Sequence, residues 1–354
     1  MLFVFGYFLF LIKNNLYNKG VMRNKQTGMA ALFFYPDPVK FGRSTVTVYE
    51  KKKHLIIKNA IPIYLMMLPG ILYLLINDYA PMFGLVIAFK RIDWNKGILR
   101  SDWVGFENFR YLFASSEAWI MTRNTILYNL AFIILGTIAS IAVAVLLNEI
   151  TSKFSVKVYQ TLILLPYMIS WVIGSYLMYA LLSSETGMVN QVIFKALGME
   201  PVVWYQEKKY WPFILILVNL WKSVGFSMVI YLASIVGINK EYYEAAKIDG
   251  ARKWKQITNI TLPLLKPTII TLFIMNVGGI FYSDFGLFYQ IPRNSGALFD
   301  VTQTIDTYVY NALMQQGNIA LSAAAGFYQS IVGFILVVIA NAIVRRYSRE
   351  SALF

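Results

Sequence analysis

Residues 239–265 form a polar segment between two long apolar runs, and their types and spacing suit docking better than catalysis. Asn239 is a residue type that caps helices. Ala245 and Ala246 favour a helix and leave almost no side-chain bulk, so another surface can approach the backbone there. Gly250 permits a sharp turn. We therefore expect two short helices that build a rigid, charged surface element, called the polar segment below.

The sequence carries few of the side chains that catalysis or metal binding requires. It has no cysteine, which excludes disulfides, thiolate metal sites and cysteine nucleophiles. Its one histidine, His54, cannot build a zinc site alone and lies in a basic run that we expect to be solvated or at the lipid headgroups. No Gly-Lys dipeptide occurs, so a Walker loop for ATP phosphates is excluded. We expect no cofactor and no metal on this chain.

The composition is typical of an integral membrane protein. Hydrophobic residues make up 58% and charged residues 14% of the 354 residues, whereas a soluble domain is about 25% charged. The mean hydropathy is +0.55. The net charge of +14 is better explained by Lys and Arg that collect on the cytoplasmic side of a membrane than by nucleic-acid binding. No nucleic-acid partner is therefore expected.

Six apolar runs are long enough to cross a hydrocarbon core about 30 Å thick as helices. They lie at residues 60–76, 125–147, 162–182, 212–236, 268–282 and 321–344. Pro69 and Pro166 fall inside spans, where neighbouring helices can satisfy the freed carbonyls. Small residues at 322–326 favour close helix packing. The predicted fold is an all-α integral membrane protein with a six-span core.

The distribution of Lys and Arg predicts the orientation of the bundle. If the first span starts inside, the inner loops hold more Lys and Arg than the outer loops, which are longer. Both termini and the polar segment are then cytoplasmic. Residues 83–118 are expected to form a folded external or interfacial element, and docking of a substrate-binding protein is one hypothesis for it.

Residues 1–55 are predicted to be an N-terminal extension, cytoplasmic or peripheral, that precedes a transmembrane domain at 56–350. The apolar start of the extension is about 12 residues long, too short to cross a membrane. A half-inserted helix and an upstream extension, with Met22 or Met29 as other starts, are both left open.

The polar segment resembles the EAA loop of ABC importer permeases, whose pattern is EAA-x3-G-x9-I-x-L-P. Every specified position agrees, and the matching residues are Glu244, Ala245, Ala246, Gly250, Ile260, Leu262 and Pro263. The alternative is an amphipathic surface hairpin with no partner. Further stretches between residues 55 and 350 are similar to the polysaccharide and complex-oligosaccharide branch of carbohydrate permeases. They lie at 69–90, 103–113, 164–173, 187–190 and 299–330.

The resemblance implies a type I importer permease in the bacterial cell membrane. In that family the loop is a coupling helix that sits in a groove of a separate ATPase. Glu244 would then make polar contacts to the ATPase, Ala245 and Ala246 would permit close approach, and Gly250 would turn the chain. The implied partners are a second homologous permease in a heterodimer, two ATPase subunits that bind ATP and Mg, and an extracellular solute-binding protein.

Polar residues inside the spans are candidates for a substrate pathway. Lys222 falls near the middle of the fourth span, where a charge costs about 3 kcal/mol, and Trp221 offers a flat face for a sugar ring. Lys222 either lines the pathway or forms a structural ion pair, for which Asp284 is one partner. The other candidates, which are also ordinary interhelical hydrogen-bonding residues, are Asn219, Asn276, Tyr282 and Ser283.

Three other functions are alternatives to a carbohydrate importer. The same permease could carry a non-sugar solute. An ion-coupled secondary transporter would need buried carboxylates or discontinuous helices at the midplane, and the spans hold almost no acids. An intramembrane enzyme would need a nucleophile or a metal cluster that the sequence does not offer.

Overall fold

The computed structural model describes residues 64–347. Predictions for the N-terminal extension, for His54, for the start of the first span and for both termini lie outside these residues. Contacts divide the described chain into residues 64–83 and residues 84–347, and each part is described by itself.

Helices dominate the described chain. In chain order they are α1 (Tyr64–Phe89), α2 (Gly97–Arg100), α3 (Glu107–Ala114), α4 (Ser116–Asn148), α5 (Lys153–Met168), α6 (Trp171–Leu182), α7 (Trp211–Val236), α8 (Lys240–Ile248), α9 (Lys253–Gln256), α10 (Leu262–Gly278), α11 (Phe285–Gln290), α12 (Phe299–Thr302), α13 (Ile305–Met314) and α14 (Ile319–Tyr347). The second half of α1 is π-helical at Leu75–Tyr79 and 3₁₀-helical at Ala80–Phe89. Other short π or 3₁₀ elements occur at Val189–Phe194, Lys208–Tyr210, Ile257–Thr261 and Gly296–Leu298.

Five helical stretches of the described chain are long and apolar enough to cross a membrane, and there are six if α5 and α6 count as one broken span. The five are Tyr64–Phe89, Ser116–Asn148, Lys208–Val236, Lys253–Gly278 and Ile319–Ala342. Their length and apolar composition confirm the predicted all-α membrane fold.

The third predicted span, 162–182, is not one continuous helix. Helices α5 and α6 meet at a bend of 97°. Pro166 cannot donate a helical bond and weakens the end of α5. Ile169 and Ser170 are extended, and the Ser170 hydroxyl accepts a hydrogen bond from the Ile173 amide at 3.3 Å, which starts α6. The sequence analysis missed this cap because Ser170 lies inside an apolar run.

The fifth span is shifted relative to the predicted 268–282: α10 begins earlier, at Leu262, and ends four residues earlier. Helix α10 ends at Gly278, because two successive glycines have a low helix propensity. The chain then turns, and the Asp284 carboxylate accepts the Leu287 amide at 3.2 Å, which starts α11.

Helices α4 and α7 pack along each other and hold two clusters of buried side chains. Tyr128 of α4 meets Trp211 and Leu215 of α7 in one cluster, which also takes in residues of α11. Leu147 of α4 meets Tyr231 of α7 in the other, beside α10. A third cluster joins α13 and α14 to α3 and α4. Helix α7 therefore contacts neighbours at both of its ends.

Residues 84–115 form a small folded element, in agreement with the fold expected for residues 83–118, whose external location stays a prediction. Strands β1 (Lys90–Arg91) and β2 (Asp102–Trp103) pair antiparallel. The Lys90 ammonium donates to the Leu99 carbonyl at 2.7 Å, and the Asn108 amide donates to the Ala88 carbonyl at 2.9 Å. These bonds fix the turns between the short elements.

Gly225 of α7 is where α5 approaches most closely. A Cβ built at Gly225 would lie 2.2 Å from the Ile163 carbonyl oxygen and 2.9 Å from the Leu164 Cα. Both atoms are backbone, so a side chain at this position would have to push the two helices apart.

We predict that Gly225→Ala lowers the stability of the purified chain by about 1–3 kcal/mol, because overpacking at a backbone contact forces helix movement. Thermal unfolding in detergent micelles measures this loss of stability. Gly326→Ala is the matched control, since no atom lies within 4 Å of a Cβ there. Equal unfolding temperatures for the two variants would contradict the close α5–α7 crossing.

Candidate functional site

The polar segment folds as the two short helices that its sequence predicts. The Asn239 side chain caps α8 by accepting a backbone hydrogen bond at 3.0 Å. At the other end Gly250 has a φ of +74°, and the Ala251 amide donates to the Ala246 carbonyl at 2.8 Å. A second bond runs from the Gly250 amide to the Lys247 carbonyl. This pair of bonds is a Schellman motif, which favours glycine at the left-handed position.

Two side-chain contacts link the short helices of the polar segment to α10 and α4, and a third braces the turn between those helices. The Tyr243 and Thr261 hydroxyls are 2.9 Å apart and join α8 to the start of α10. The Gln256 amide donates to the Ala251 carbonyl at 2.8 Å, across the turn between α8 and α9. The Lys253 ammonium lies 2.6 Å from the Glu149 carboxylate, just after α4. The segment is therefore tied to α4 and α10 as well as to α7, which it follows.

The residues that match the EAA pattern divide between surface and interior. Glu244, Ala245 and Pro263 are exposed, as is Gly250. The half-buried remainder comprises Ala246, Ile260 and Leu262.

Two large apolar side chains are also exposed on the polar segment. Ile248 is 87% exposed and Trp254 is 73% exposed. The sequence analysis did not single out either residue, although each interrupts a charged stretch. Both side chains are therefore available for contact with another protein.

Lys222 satisfies the carbonyl groups at the break between α5 and α6. Its ammonium donates to the carbonyls of Tyr167 at 2.9 Å, of Pro166 at 3.4 Å and of Ile169. It also lies 5.0 Å from the centre of the Trp171 ring, within the range of a cation–π contact. The end of a helix leaves carbonyls without partners and carries partial negative charge. Lys222 supplies both the donors and the positive charge.

Asp284 lies on the other side of Trp171. Its Oδ2 accepts the Trp171 indole Nε1–H at 2.8 Å. A Cβ at Gly286 would come within 2.1 Å of the Trp171 ring, so glycine lets the ring lie against α11. The Lys222–Asp284 ion pair considered from the sequence is not among the ion pairs of residues 64–347. Lys222 instead uses the carbonyl partners that the helix break offers.

The remaining pathway candidates lie on several elements. Trp221 is 47% exposed, and Asn219 accepts the Ser223 hydroxyl at 3.4 Å. Asn276 and Tyr282 are exposed, one near the end of α10 and the other in the turn that follows. Their part in a substrate pathway stays a prediction.

Ser283 belongs to a polar network that the sequence analysis did not find. Its hydroxyl and its amide both lie 2.7 Å from Asp306 Oδ2, and the hydroxyl donates to Thr304 Oγ1 at 2.7 Å. Gln329 of α14 donates to Asp306 Oδ1 at 3.1 Å and to the Phe281 carbonyl at 2.9 Å. The network locks the start of α13 to α14.

Two cavities lie at the end of α7 that is remote from the polar segment, and both are lined by Arg293. One, of about 230 Å³, is lined by Val172, Ser175, Tyr176, Tyr289, Gln290, Arg293 and Asn294. The other, of about 350 Å³, is lined by Tyr179, Ser184, Val203, Trp204, Tyr205, Gln206, Arg293 and Ser295. Arg293 was not among the candidate residues from the sequence.

A model of the family described as "Binding-protein-dependent transport system inner membrane component" matches residues 133–349. The chain belongs to this family. The matched region includes the polar segment, Lys222 and Arg293. Members are permease components of ABC transport systems and are not themselves catalytic. The chain is accordingly a multi-pass membrane component of such a system.

Curated relatives and solved structures extend the similarity over most of the chain. The polygalacturonan/rhamnogalacturonan transport system permease protein YteP of Bacillus subtilis is 36% identical, over 85% of this chain and 94% of that protein. The arabinooligosaccharides transport system permease protein AraP of Halalkalibacterium halodurans is 26% identical, over 77% of this chain and 84% of that protein. A crystal structure of a bacterial ABC transporter involved in the import of the acidic polysaccharide alginate aligns with a TM-score of 0.76 and 33% identity, over 84% of this chain and 99% of that one.

We predict that Gly250→Ala destabilises the end of α8 by about 1–2 kcal/mol, because a Cβ disfavours the left-handed conformation. A steric clash with neighbouring residues is not the cause, since no atom lies within 4 Å of a Cβ built at Gly250. Faster hydrogen exchange of the Gly250 and Ala251 amides measures the effect. Gly250→Asn is the control and should retain more protection, because asparagine tolerates this conformation. Unchanged exchange in the alanine variant would contradict the Schellman turn.

We predict that Lys222→Met destabilises the chain by about 1–3 kcal/mol, since it leaves the carbonyls at the helix break without their donor. The measurement is the thermal unfolding midpoint in lipid nanodiscs. Lys209→Met removes an exposed ammonium just before α7 and should change the midpoint little. If both variants unfold at the same temperature, Lys222 does not hold the break.

Proposed function

We propose that this chain is the membrane-spanning permease subunit of an ATP-driven importer for oligosaccharides or polysaccharide fragments in the bacterial cytoplasmic membrane. The observation that carries the proposal is the polar segment, in which the EAA residues of α8 are presented on a short, capped and anchored helix. Family membership over residues 133–349 supports the same role.

In this proposal the polar segment docks into a groove of a separate ATPase subunit. Glu244 makes polar contacts there, and Ala245 and Ala246 let the ATPase approach the backbone. The exposed Ile248 and Trp254 side chains supply apolar contact area. ATP and Mg bind to the ATPase, because this chain carries no Walker loop. Two ATPases and a second, homologous permease complete the complex.

Movement of the docked segment would reach the membrane helices through the contacts that hold it. Helix α9 runs through a π turn into α10, and the Lys253–Glu149 ion pair adds a link to the end of α4. When the ATPases close on ATP, α8 and α9 would move as a unit and shift these helices toward an outward-facing state. Release of the products would reverse the shift.

The cargo is proposed from the names of the relatives. Permeases for polygalacturonan/rhamnogalacturonan and for arabinooligosaccharides are among them, and one aligned structure is an alginate transporter in complex with an alginate pentasaccharide-bound periplasmic protein. By the same comparison, an extracellular solute-binding protein would deliver the sugar to this chain. A non-sugar solute remains the second candidate cargo within the same mechanism.

We predict that Glu244→Lys lowers co-purification of the ATPase with the permease complex by about tenfold or more, because loss of a buried polar contact at an interface costs at least about 2 kcal/mol. Binding-protein-stimulated ATP hydrolysis in nanodiscs should fall in parallel. Glu200→Lys makes the same charge change at an exposed residue before α7 and should leave both measurements unchanged.

Normal assembly and hydrolysis by Glu244→Lys would contradict docking through α8. Uptake of oligosaccharide that survives depletion of ATP but collapses with the ion gradient would contradict the ATP-driven mechanism and favour a secondary transporter.

A further inference from the structure

Arg293 is an exposed cation whose environment the permease mechanism leaves unexplained. It is the one Lys or Arg between residues 285 and 318. Within residues 64–347 it forms no ion pair. Its guanidinium instead lies 4.2 Å from the centre of the Tyr179 ring. Because a cation–π contact occupies only one face of the guanidinium, its N–H donors remain available to an anion.

The backbone around Arg293 is fixed in an uncommon conformation. Arg293 and Asn294 both have left-handed φ values, 56° and 48°. Reciprocal amide bonds of 3.2 and 3.0 Å join Asn294 to Asn311 of α13, and Ser295 donates to the Tyr205 carbonyl at 3.1 Å. Two successive non-glycine residues in this region persist only where surrounding contacts impose them. The loop therefore holds the guanidinium in place before any ligand arrives.

Tyr205 places an unused hydrogen-bonding group in the same cleft. Its hydroxyl is buried and has no hydrogen-bond partner in residues 64–347. Burial raises the pKa of Tyr205 to about 12, while the nearby Arg293 charge lowers it. The hydroxyl therefore stays protonated at neutral pH and can donate. A buried donor without a partner is costly, so a ligand in the cleft that reaches this hydroxyl gains a hydrogen bond that the free chain lacks.

The aromatic walls of the cleft match one class of ligand. Tyr179 and Tyr205 have ring centres 5.8 Å apart, and Trp204 lines the same cavity. Its volume of about 350 Å³ falls within the range of ligand pockets, about 300–1,000 Å³. Flat apolar ring faces pack against pyranose rings, whereas a fixed guanidinium with a phenol donor binds a carboxylate.

We infer that the cleft between Arg293 and Tyr205 binds the carboxylate of an acidic sugar unit of the cargo before it enters the helix bundle. The inference rests on the proposed importer function and narrows its cargo to uronate-containing oligosaccharides. The carboxylate accepts hydrogen bonds from the Arg293 N–H donors, Tyr205 donates a third hydrogen bond, and the pyranose packs against the tyrosine rings. An acidic side chain of the binding protein is the competing occupant that the test must exclude.

The test uses the complete transporter, reconstituted in proteoliposomes with its partner permease, ATPases and binding protein. The probes are trigalacturonate, an alginate trisaccharide and neutral galactotriose. Arg293→Gln should raise the KM for uptake of an acidic probe about tenfold or more, because a charge-assisted bond is lost. Arg293→Lys should raise the KM less, since lysine keeps the positive charge and loses only the planar, paired N–H donors of arginine. Lys209→Gln is the matched control: Lys209 also lies over a tyrosine ring, at 4.7 Å, but lines neither cavity.

Tyr205→Phe separates binding from a structural role. Its hydroxyl has no partner to lose in the described chain, so its removal should keep or raise the unfolding temperature while uptake of the acidic probes falls. If the unfolding temperature and uptake fall together, Tyr205 serves the fold, which contradicts its place in the site.

The remaining outcomes distinguish this inference from the proposed function. If the wild type takes up galactotriose but neither acidic probe, the uronate site is wrong and the proposed importer function is unaffected. Absence of ATP-dependent uptake with all three probes would overturn both. Wild-type KM values in Arg293→Gln would overturn the site alone. The affinity of the Arg293→Gln transporter for the sugar-free binding protein is the last measurement. If this affinity falls by the same factor by which the KM rises, the cleft serves docking of the binding protein instead.

Discussion

The backbone carbonyls at the break between α5 and α6 impose the constraint on which the rest of the structure depends. A helix that ends within a membrane exposes carbonyl groups that lipid cannot satisfy. Lys222 donates to three of them from α7, and Gly225, one turn further along α7, lets α5 come into backbone contact. One short stretch of α7 therefore both permits the bend and satisfies its polar groups.

With the bend held, Trp171 at the start of α6 reaches Asp284 and the glycine of α11. Lys222, Trp171 and Asp284 thus form a chain of polar contacts that fixes α6 against the segment after α10.

Much of the fold could be predicted from the sequence, because its signals are local. Runs of apolar residues mark the spans, and Asn239 and Gly250 mark the ends of α8 through bonds to residues at most five positions away. The break at Ser170 has a local signal too, but an N-cap inside an apolar run looks like ordinary membrane helix. The partners of Lys222 lie 53 to 56 positions away, and those of Asp306 lie 23 positions away. No spacing rule reaches that far, so the sequence alone did not identify the carbonyl partners of Lys222.

The candidate functional residues also divide into those with a local sequence signal and those that meet only in the folded chain. The EAA residues are contiguous enough to be found by pattern, and they were. The cleft at Arg293 was missed because its parts come from α6, from the segment before α7 and from the loop after α11, and they meet only in the folded chain. Even the exposed Ile248 and Trp254 gave a weak signal, because an apolar residue in a charged stretch usually packs inward. Their exposure becomes informative only once the helices around them are placed.

Helix α7 connects the two surfaces to which a function can be assigned. It has 26 residues and is therefore about 39 Å long, with the polar segment directly after one end and Tyr205 shortly before the other. A ligand can shift a conformational equilibrium only if it binds the two states with different affinity. The polar segment is tied to α4 and α10 by side-chain bonds, whereas the Arg293 loop is tied to α13 and to the chain before α7. A movement that changes the angle of α7 therefore changes the geometry of both surfaces. Under the proposed function, coupling between an ATPase at one end and a sugar at the other would need no longer path than the packed length of α4 and α7, whose two buried clusters resist compression.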